Sequence, residues 1–335
     1  MTAFIGRREF ISLLGGGAVA WPLAARSGES MRRVGVLTGS GSPDDPDVKE
    51  RYAAFLQRLQ QLGWIDGRNL RIEAHRTASE PDDLRRHAVE LAALAPDVIL
   101  AGGTSTVGPL LQATRTVPIV FAGTADPVGA GLAASLARPG GNVTGFSVDA
   151  GLGNISKRLE FFRQVVPAAS RMAWLTPRRT MELPIGTVTR ETVRMAGMTL
   201  VDIVLEAPID AAAFRRAFEA MSLDRVDSVW AATVGEFLEH RRLIAELAAG
   251  SKLPTMFGWR ENVEAGGLMS YGNDVADTFR LSATYVDRVL KGDKPAELPF
   301  QQPTKFELAI NLKTARDLGL TVPPIILARA DEVIE

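Results

Sequence analysis

The sequence predicts an α/β protein of two doubly wound parallel-sheet lobes joined by three hinge crossings. Three observations carry this expectation. Short apolar runs bounded by glycine or proline alternate without a break with amphipathic stretches of helical period, the pattern of strand–helix units in a sheet covered on both faces. The pattern runs through once and then repeats. With an N-terminal leader set aside, roughly 300 of the 335 residues remain, a length that usually divides into two domains.

Taken in order, residues 33–37 (RVGVL) read as a buried strand opening into Thr38, Gly39, Ser40, Gly41 and Ser42. A loop of small residues and hydroxyls lets a ligand approach the backbone closely. Residues 46–62 read as a helix, since Val48, Tyr52, Phe55, Leu59 and Leu62 recur at spacings of four, three, four and three before Gly63. A strand at 70–74, a helix at 81–94 opened by Glu80 and Pro81, and a strand at 98–101 follow. Gly102, Gly103, Thr104, Ser105 and Thr106 then lead into a helix ending near Thr114.

The chain is organised around residues 118–149. Ile119, Val120 and Phe121, bounded by Pro118 and Gly123, suit a buried strand. Asp126 and Pro127 read as a helix start, because a carboxylate accepts orphan amide hydrogens and proline at the first helical position gives up no needed donor. That helix is expected to run to about Ala137, where Arg138, Pro139, Gly140, Gly141 and Asn142 break it. Residues 143–147 form the next strand, and the polar, glycine-bearing residues 149–153 make the first crossing.

In the second half, helices are expected at 154–166 (stripe Ile155, Leu159, Phe162, Val166), 183–196, 211–221 and 236–249. Strands are expected at 172–175, 199–204, 228–231, 255–257 and 268–270. Residues 271–273 form a second crossing into a helix at 274–290 with Val275, Phe279, Val286 and Leu290 on one face. A third crossing near 297–303 precedes a strand at 305–310 and a helix. The first lobe is thus expected to hold residues 32–148 and 272–297, the second 149–271 and 298–335.

Composition narrows the function. A hydrophobic fraction of 46% with 23% charged residues suits full globular cores, and a formal net charge of −1 gives no sign of a nucleic-acid or membrane-surface partner. Cysteine is absent, which excludes disulfides, thiolate metal sites and cysteine catalysis. Residues 1–27 read as an export signal: Arg7 and Arg8 precede Phe10 and Ile11, an apolar run follows, and Ala25 and Ser27 supply the small residues before a cut. The paired arginines resemble a twin-arginine signal. The apolar run of about a dozen residues is too short for a membrane span, so a soluble periplasmic protein is expected.

The body resembles the bacterial ABC-transporter substrate-binding family, a branch of the type I periplasmic binding proteins related to its aromatic-amino-acid-binding members. The residues carrying the resemblance are RVGVLTGSGS from Arg33, LGWIDGRNL from Leu62, FAGTADPVGAGLAASLARPGGNVTGFS from Phe121, and the block from Gly266 to Pro324. The resemblance implies a clamp that closes on a small, amino-acid-like solute and presents it to an inner-membrane ABC permease, as a monomer and without a cofactor. Two loops depart from the family: LTPRRT at 175–180 brings Arg178 and Arg179 where an asparagine-bearing loop is common, and Ala232, Thr233, Val234 and Gly235 replace an aspartate–proline type.

Candidate ligand-binding residues follow the strands. Gly103, Thr104 and Ser105 stand where a glycine pair meets a helix start, so their amides and hydroxyls can bind a carboxylate or simply cap the helix. Asp126 can pair with an amino group or cap. Ser40, Gly41 and Ser42 lie at the cleft rim and Ser147 at the hinge. Thr176, Thr233, Phe257 and Trp259 follow second-lobe strands, where an aromatic ring either stacks on a flat solute or fills the core. Glu261 binds a cation or faces water, and Tyr271 is either a hinge strut or a cleft wall. Arg178 and Arg179 either face an anionic ligand or lie in solvent.

Enzyme signatures fail. The run from Gly103 to Gly108 is one residue too long for a nucleophile elbow, no phosphate-loop lysine motif exists, and Gly15, Gly17 and Ala20 match a dinucleotide fingerprint only within the leader. His75, His87 and His240 show no metal-ligand spacing. The expected function is non-catalytic solute capture. A periplasmic sensor for a receptor, or an exported enzyme, stands as the alternative.

Overall fold

A computed structural model describes residues 31–335 except 40, 78–79, 125 and 149–151. The expected export signal, the loop residue Ser40 and the core of the first crossing therefore lie outside the described residues. Two sheets dominate. The first is wholly parallel, in the order β2-β1-β3-β4-β5, from β1 (Arg32–Thr38), β2 (Leu70–Arg76), β3 (Val98–Gly102), β4 (Ile119–Thr124) and β5 (Val143–Ser147). Its helices are α1 (Pro46–Gln61), α2 (Pro81–Ala93) and α3 (Val107–Ala113), the last entered through a 3-10 turn at Thr104–Thr106.

The second sheet has the order β12-β11-β10-β9-β8-β6-β7 and is parallel except where β10 meets β11. Its strands are β6 (Arg171–Pro177), β7 (Thr199–Leu205), β8 (Ser228–Ala231), β9 (Thr255–Phe257), β10 (Met269–Gly272), β11 (Glu307–Asn311) and β12 (Glu332–Ile334). The helices after β5 are α4 (Leu152–Val165), α5 (Arg178–Met181), α6 (Pro184–Met195), α7 (Ala211–Leu223), α8 (Gly235–Glu239), α9 (Arg241–Gly250), α10 (Arg260–Glu264), α11 (Val275–Leu290), α12 (Leu312–Asp317) and α13 (Pro324–Leu327).

Apolar runs become strands because both faces are covered. Val34 and Val36 point into a core shared with α1 and α11, while Leu37 joins Leu84, Ala88 and Leu91 of α2 on the opposite face. In the second lobe, Met172 and Trp174 pack with α4 on one face, and Ala173 and Leu175 with α7 on the other. Helix α11 follows β10 but returns to the first lobe, packing against α1, β3 and β4. Its Tyr285 hydroxyl donates to the Pro299 carbonyl at 2.6 Å. Leu298 and Phe300 also sit in first-lobe cores, and Gln301 exchanges backbone hydrogen bonds with Gly145 and Ser147.

Three expectations need correction. No helix forms over residues 126–137, which are turns and irregular chain. Asp126 does accept an amide hydrogen, from Gly129 at 2.8 Å, and Leu132 bonds back to Pro127. Asp126 itself has φ +37° and Gly131 φ +71°, so a left-handed residue stands at each end of the nascent turn and the helix cannot propagate. The helix expected at 236–249 is two, α8 and α9, broken at His240 (φ −100°, ψ 15°). There the Glu236 carbonyl still accepts the His240 amide, closing the last turn of α8, with the His240 ring beside it, while the Arg241 guanidinium occupies the Leu238 carbonyl that the next helical amide would use. Finally, Thr176 and Pro177 complete β6, and Arg178 opens a helix rather than a loop.

Candidate functional site

The carboxyl ends of the two sheets face each other. In the first sheet Thr38, Gly102 and Ala122 are register neighbours, so the loops after β1, β3 and β4 leave at one level. In the second, Leu175 is level with Ala231, which brings Thr176 and the loop carrying Thr233 out together. Ligand sites in open α/β sheets lie outside such strand ends. Between the lobes is an inner cavity of about 30 Å³, bordered by Arg51, Gly103, Thr104 and Phe279 on one side and by Thr233, Leu238 and Trp259 on the other. A wider space of about 320 Å³ at the mouth is bordered by Thr104, Ser105, Arg179, Glu236 and His240. Thr104 borders both.

The lobes are closed on one another by charge. Arg51, on the buried stripe of α1, has a side chain only 5% exposed and reaches Glu261 of α10 at 3.1 Å. A buried cation is tolerable only when paired, and this pair joins the two lobes. The Arg51 Nε is buried and unpartnered by protein. At the rim, Arg241 of α9 holds Asp45 at 2.8 Å and Asp47 at 3.0 Å. Asp45 also caps α1 by accepting from the Asp47 amide. Burial alone would raise the Asp45 carboxyl. The Arg241 and Asp47 hydrogen bonds and the charges of Arg241 and Arg51 outweigh it, leaving the group below the usual aspartate range.

Arg158, buried on α4, donates through Nε to the Tyr271 carbonyl at 2.6 Å and through Nη1 to Thr233 Oγ1 at 2.8 Å. The Thr233 hydroxyl thus accepts from Arg158 and keeps its own hydrogen for an acceptor. Trp259 Nε1 donates to Asn273 Oδ1 at 3.2 Å, and Asn273 Nδ2 donates to Thr278 Oγ1 at 2.9 Å. That chain fixes the indole against the second crossing.

The structure brings Gly103, Thr104, Thr233 and Trp259 together at the inner cavity. Ser105 borders the mouth and ties two loops by donating to the Gly39 carbonyl at 3.0 Å. Ser147 borders a separate opening on the hinge side, with Asn273 and Gln301. Other candidates are placed elsewhere. Gly41 lies under Val48, and exposed Ser42 accepts from the Asp44 amide within its own turn. Asp126 serves its turn, Thr176 is wholly buried, and Phe257 is in the core of the second lobe. The Tyr271 ring packs between Phe161 and Phe306, and only its carbonyl faces Arg158. Arg178 pairs with Glu206, and Arg179 with buried Glu236. Arg51, Arg158, Asn273 and Phe279 were not singled out in sequence. A charged residue within a helical stripe gives no local sign that a carboxylate 210 positions away will cover it.

Two parallel-sheet lobes closing strand-ends inward on a cavity define a two-lobed clamp of the type I periplasmic-binding-protein class. Residues 44–334 match the family described as ABC transporter substrate binding protein, and the chain belongs to that family, one of solute-binding proteins rather than enzymes. A "Tyrosine-binding protein" of Clostridioides difficile (strain R20291) is 22% identical over 277 residues, covering 83% of this chain and 79% of its own length. The crystal structure of an ABC domain from Streptococcus pneumonia in complex with L-Trp matches with a TM-score of 0.82 and 24% identity, over 91% of this chain and 100% of that one. A conserved domain protein from Vibrio cholerae O1 biovar eltor matches with a TM-score of 0.82 and 25% identity, over the same 91% and 100%. Among the described residues, no helix is long and apolar enough to cross a membrane.

Proposed function

We propose that the protein is the periplasmic solute-binding component of an ABC importer, that it captures an amino acid or related small organic acid between its lobes, and that it performs no chemistry. The observation that carries this reading is the interlobe space, an inner cavity and the mouth of about 320 Å³ that share Thr104, to which both lobes contribute and where an unspent arginine donor, two threonine hydroxyls and the rings of Trp259 and Phe279 converge at the inner end. The unpartnered Nε of Arg51 suits a carboxylate, and the rings suit a flat side chain. The Trp-bound and tyrosine-binding relatives support the same ligand class. Arg178 and Arg179, each neutralised by a glutamate, do not select an anion.

The mechanism is a population shift. Open and closed clamps interconvert, and a solute touching both lobes favours the closed form by its differential affinity. Closure creates the surface that a permease reads. A melting and calorimetric screen of the chain without its leader, over the amino acids and simple aromatic acids, tests this. A solute at a hundred times its dissociation constant adds about 2.7 kcal/mol, a shift of several degrees. A panel without any shift sinks the ligand class, and consumption of a compound sinks the non-catalytic reading.

A further inference from the structure

Away from the cleft, two of the three histidines of the chain come together on the outside of the first lobe. His75 lies on the edge strand β2, level with Leu37 of β1. Register partners in a parallel pair point to the same face, and Leu37 points under α2, where it meets Leu84, Ala88 and Leu91. His75 therefore emerges beneath α2, beside the flank that carries His87 and, one turn on, Glu90. The imidazole centroids are 4.5 Å apart. Glu90 Oε2 lies 3.0 Å from His87 Nδ1 and 3.8 Å from His75 Nδ1, and one ligand atom from each residue falls within 4.8 Å of the others. Both imidazoles are about four-fifths buried while Glu90 is half exposed, at 20%, 21% and 48% of side-chain surface.

We infer that His75, His87 and Glu90 form a binding site for one divalent zinc-type ion. Tetrahedral zinc with nitrogen and oxygen ligands at about 2.0–2.1 Å sets its ligand atoms roughly 3.3–3.4 Å apart. The two histidine–carboxylate separations bracket that spacing. Two imidazoles and one carboxylate make a borderline donor set that takes zinc ahead of magnesium or calcium, and water completes the fourth position. One group competes: the Arg86 guanidinium stands 3.4 Å from His87 Nε2 and 3.9 Å from Glu90. It is 58% exposed and already pairs with Asp83 at 2.8 Å, so it can withdraw to that partner. A strand and a helix supply the ligands, which is why a separation of twelve positions shows no metal spacing in the sequence.

The test uses the whole chain without its leader, purified without a polyhistidine tag and freed of metal by a chelator. Zinc is titrated by calorimetry and by competition with a chromophoric indicator, and cobalt is titrated in the visible range. The expected result is one equivalent bound, tetrahedral cobalt bands, and a melting temperature raised by zinc and returned by chelator. Removing an outer-shell partner of a metal ligand already costs 10–100-fold in affinity, so His75→Ala, His87→Ala and Glu90→Gln each weaken zinc by at least about tenfold. Arg86→Ala retains or tightens it. Circular dichroism of each metal-free variant checks that the lobe is folded. Absence of saturable zinc binding by the parent chain overturns the site, as does undiminished binding by a folded His75→Ala/His87→Ala variant.

Discussion

Replacing Arg241 with alanine tests whether the rim charges hold the clamp shut. Arg241 makes two charge-assisted contacts across the cleft, at 2.8 Å to Asp45 and 3.0 Å to Asp47, with side chains 12%, 17% and 22% exposed. Hydrogen bonds to charged groups contribute about 1.5–3 kcal/mol each. Water reaching the rim and the regained freedom of three side chains reduce the pair to about 1.5–2 kcal/mol in total. In the open clamp all three groups are hydrated, so the loss falls on closure rather than on folding. Solute affinity should fall roughly 10–30-fold, and scattering should show a more extended unliganded chain.

The same contact sets a pH dependence. Asp45 is held below the usual aspartate range in the closed form, so its contribution is complete above that range and is lost as pH falls through the lowered value. Parent affinity should weaken at acid pH, and the Asp45-dependent part of that trend should vanish in Arg241→Ala. High salt should weaken the parent more than the variant. Calorimetry and small-angle scattering across pH and salt supply the readouts. A variant with unchanged affinity, dimensions and salt dependence refutes the latch.

Thr233→Val removes the hydroxyl held by Arg158. It should weaken solute binding about 5–30-fold by calorimetry, since a lost hydrogen bond in a buried site costs about 1–2 kcal/mol, whereas Ser42→Ala on the outer turn should change nothing. Thr104→Ala should weaken binding without unfolding the lobe, and equal affinity would remove Thr104 from the site. Gly145 has φ +142°, and a Cβ there would stand 2.2 Å from the Phe121 carbonyl oxygen. Gly145→Ala should therefore cost more than about 3 kcal/mol in urea unfolding, and a stable variant would show that β4 and β5 can part. Asp227 accepts from the Ser170 amide and hydroxyl, the Arg171 amide and the Ser228 hydroxyl. Burial raises its carboxyl but these bonds more than reverse that. Asp227→Ala should cost about 1–2 kcal/mol in urea, with the parent's advantage lost as pH falls below the ordinary aspartate range.

The order of strands and helices was legible because strands covered on both faces must be apolar throughout, and glycine or proline marks where each ends. Local capping signals were less reliable. Asp126 and Pro127 do begin a turn, but whether it grows depends on backbone angles at Asp126 and Gly131 that residue type alone leaves open. The helix breaks at His240 through its backbone angles and through the Arg241 bond to the Leu238 carbonyl, which a periodicity count cannot see. For the site, strand-end loops pointed to Gly103, Thr104, Thr233 and Trp259, since chain direction alone puts such loops at the cleft. The residues that join the lobes were hidden. Arg51 reads as a solvated helix charge until Glu261 arrives from the other lobe, and Asn273 matters only because the indole of Trp259 reaches it.

Because the chain contains no cysteine, a pair of spin labels can be placed across the cleft without removing any native thiol. Labels at Glu50→Cys on α1 and Arg242→Cys on α9, both exposed positions, report the separation of the lobes by pulsed electron resonance. Saturation with a solute found in the binding screen should collapse a broad distribution into one short distance. An identical distribution with and without bound solute would contradict closure on a guest.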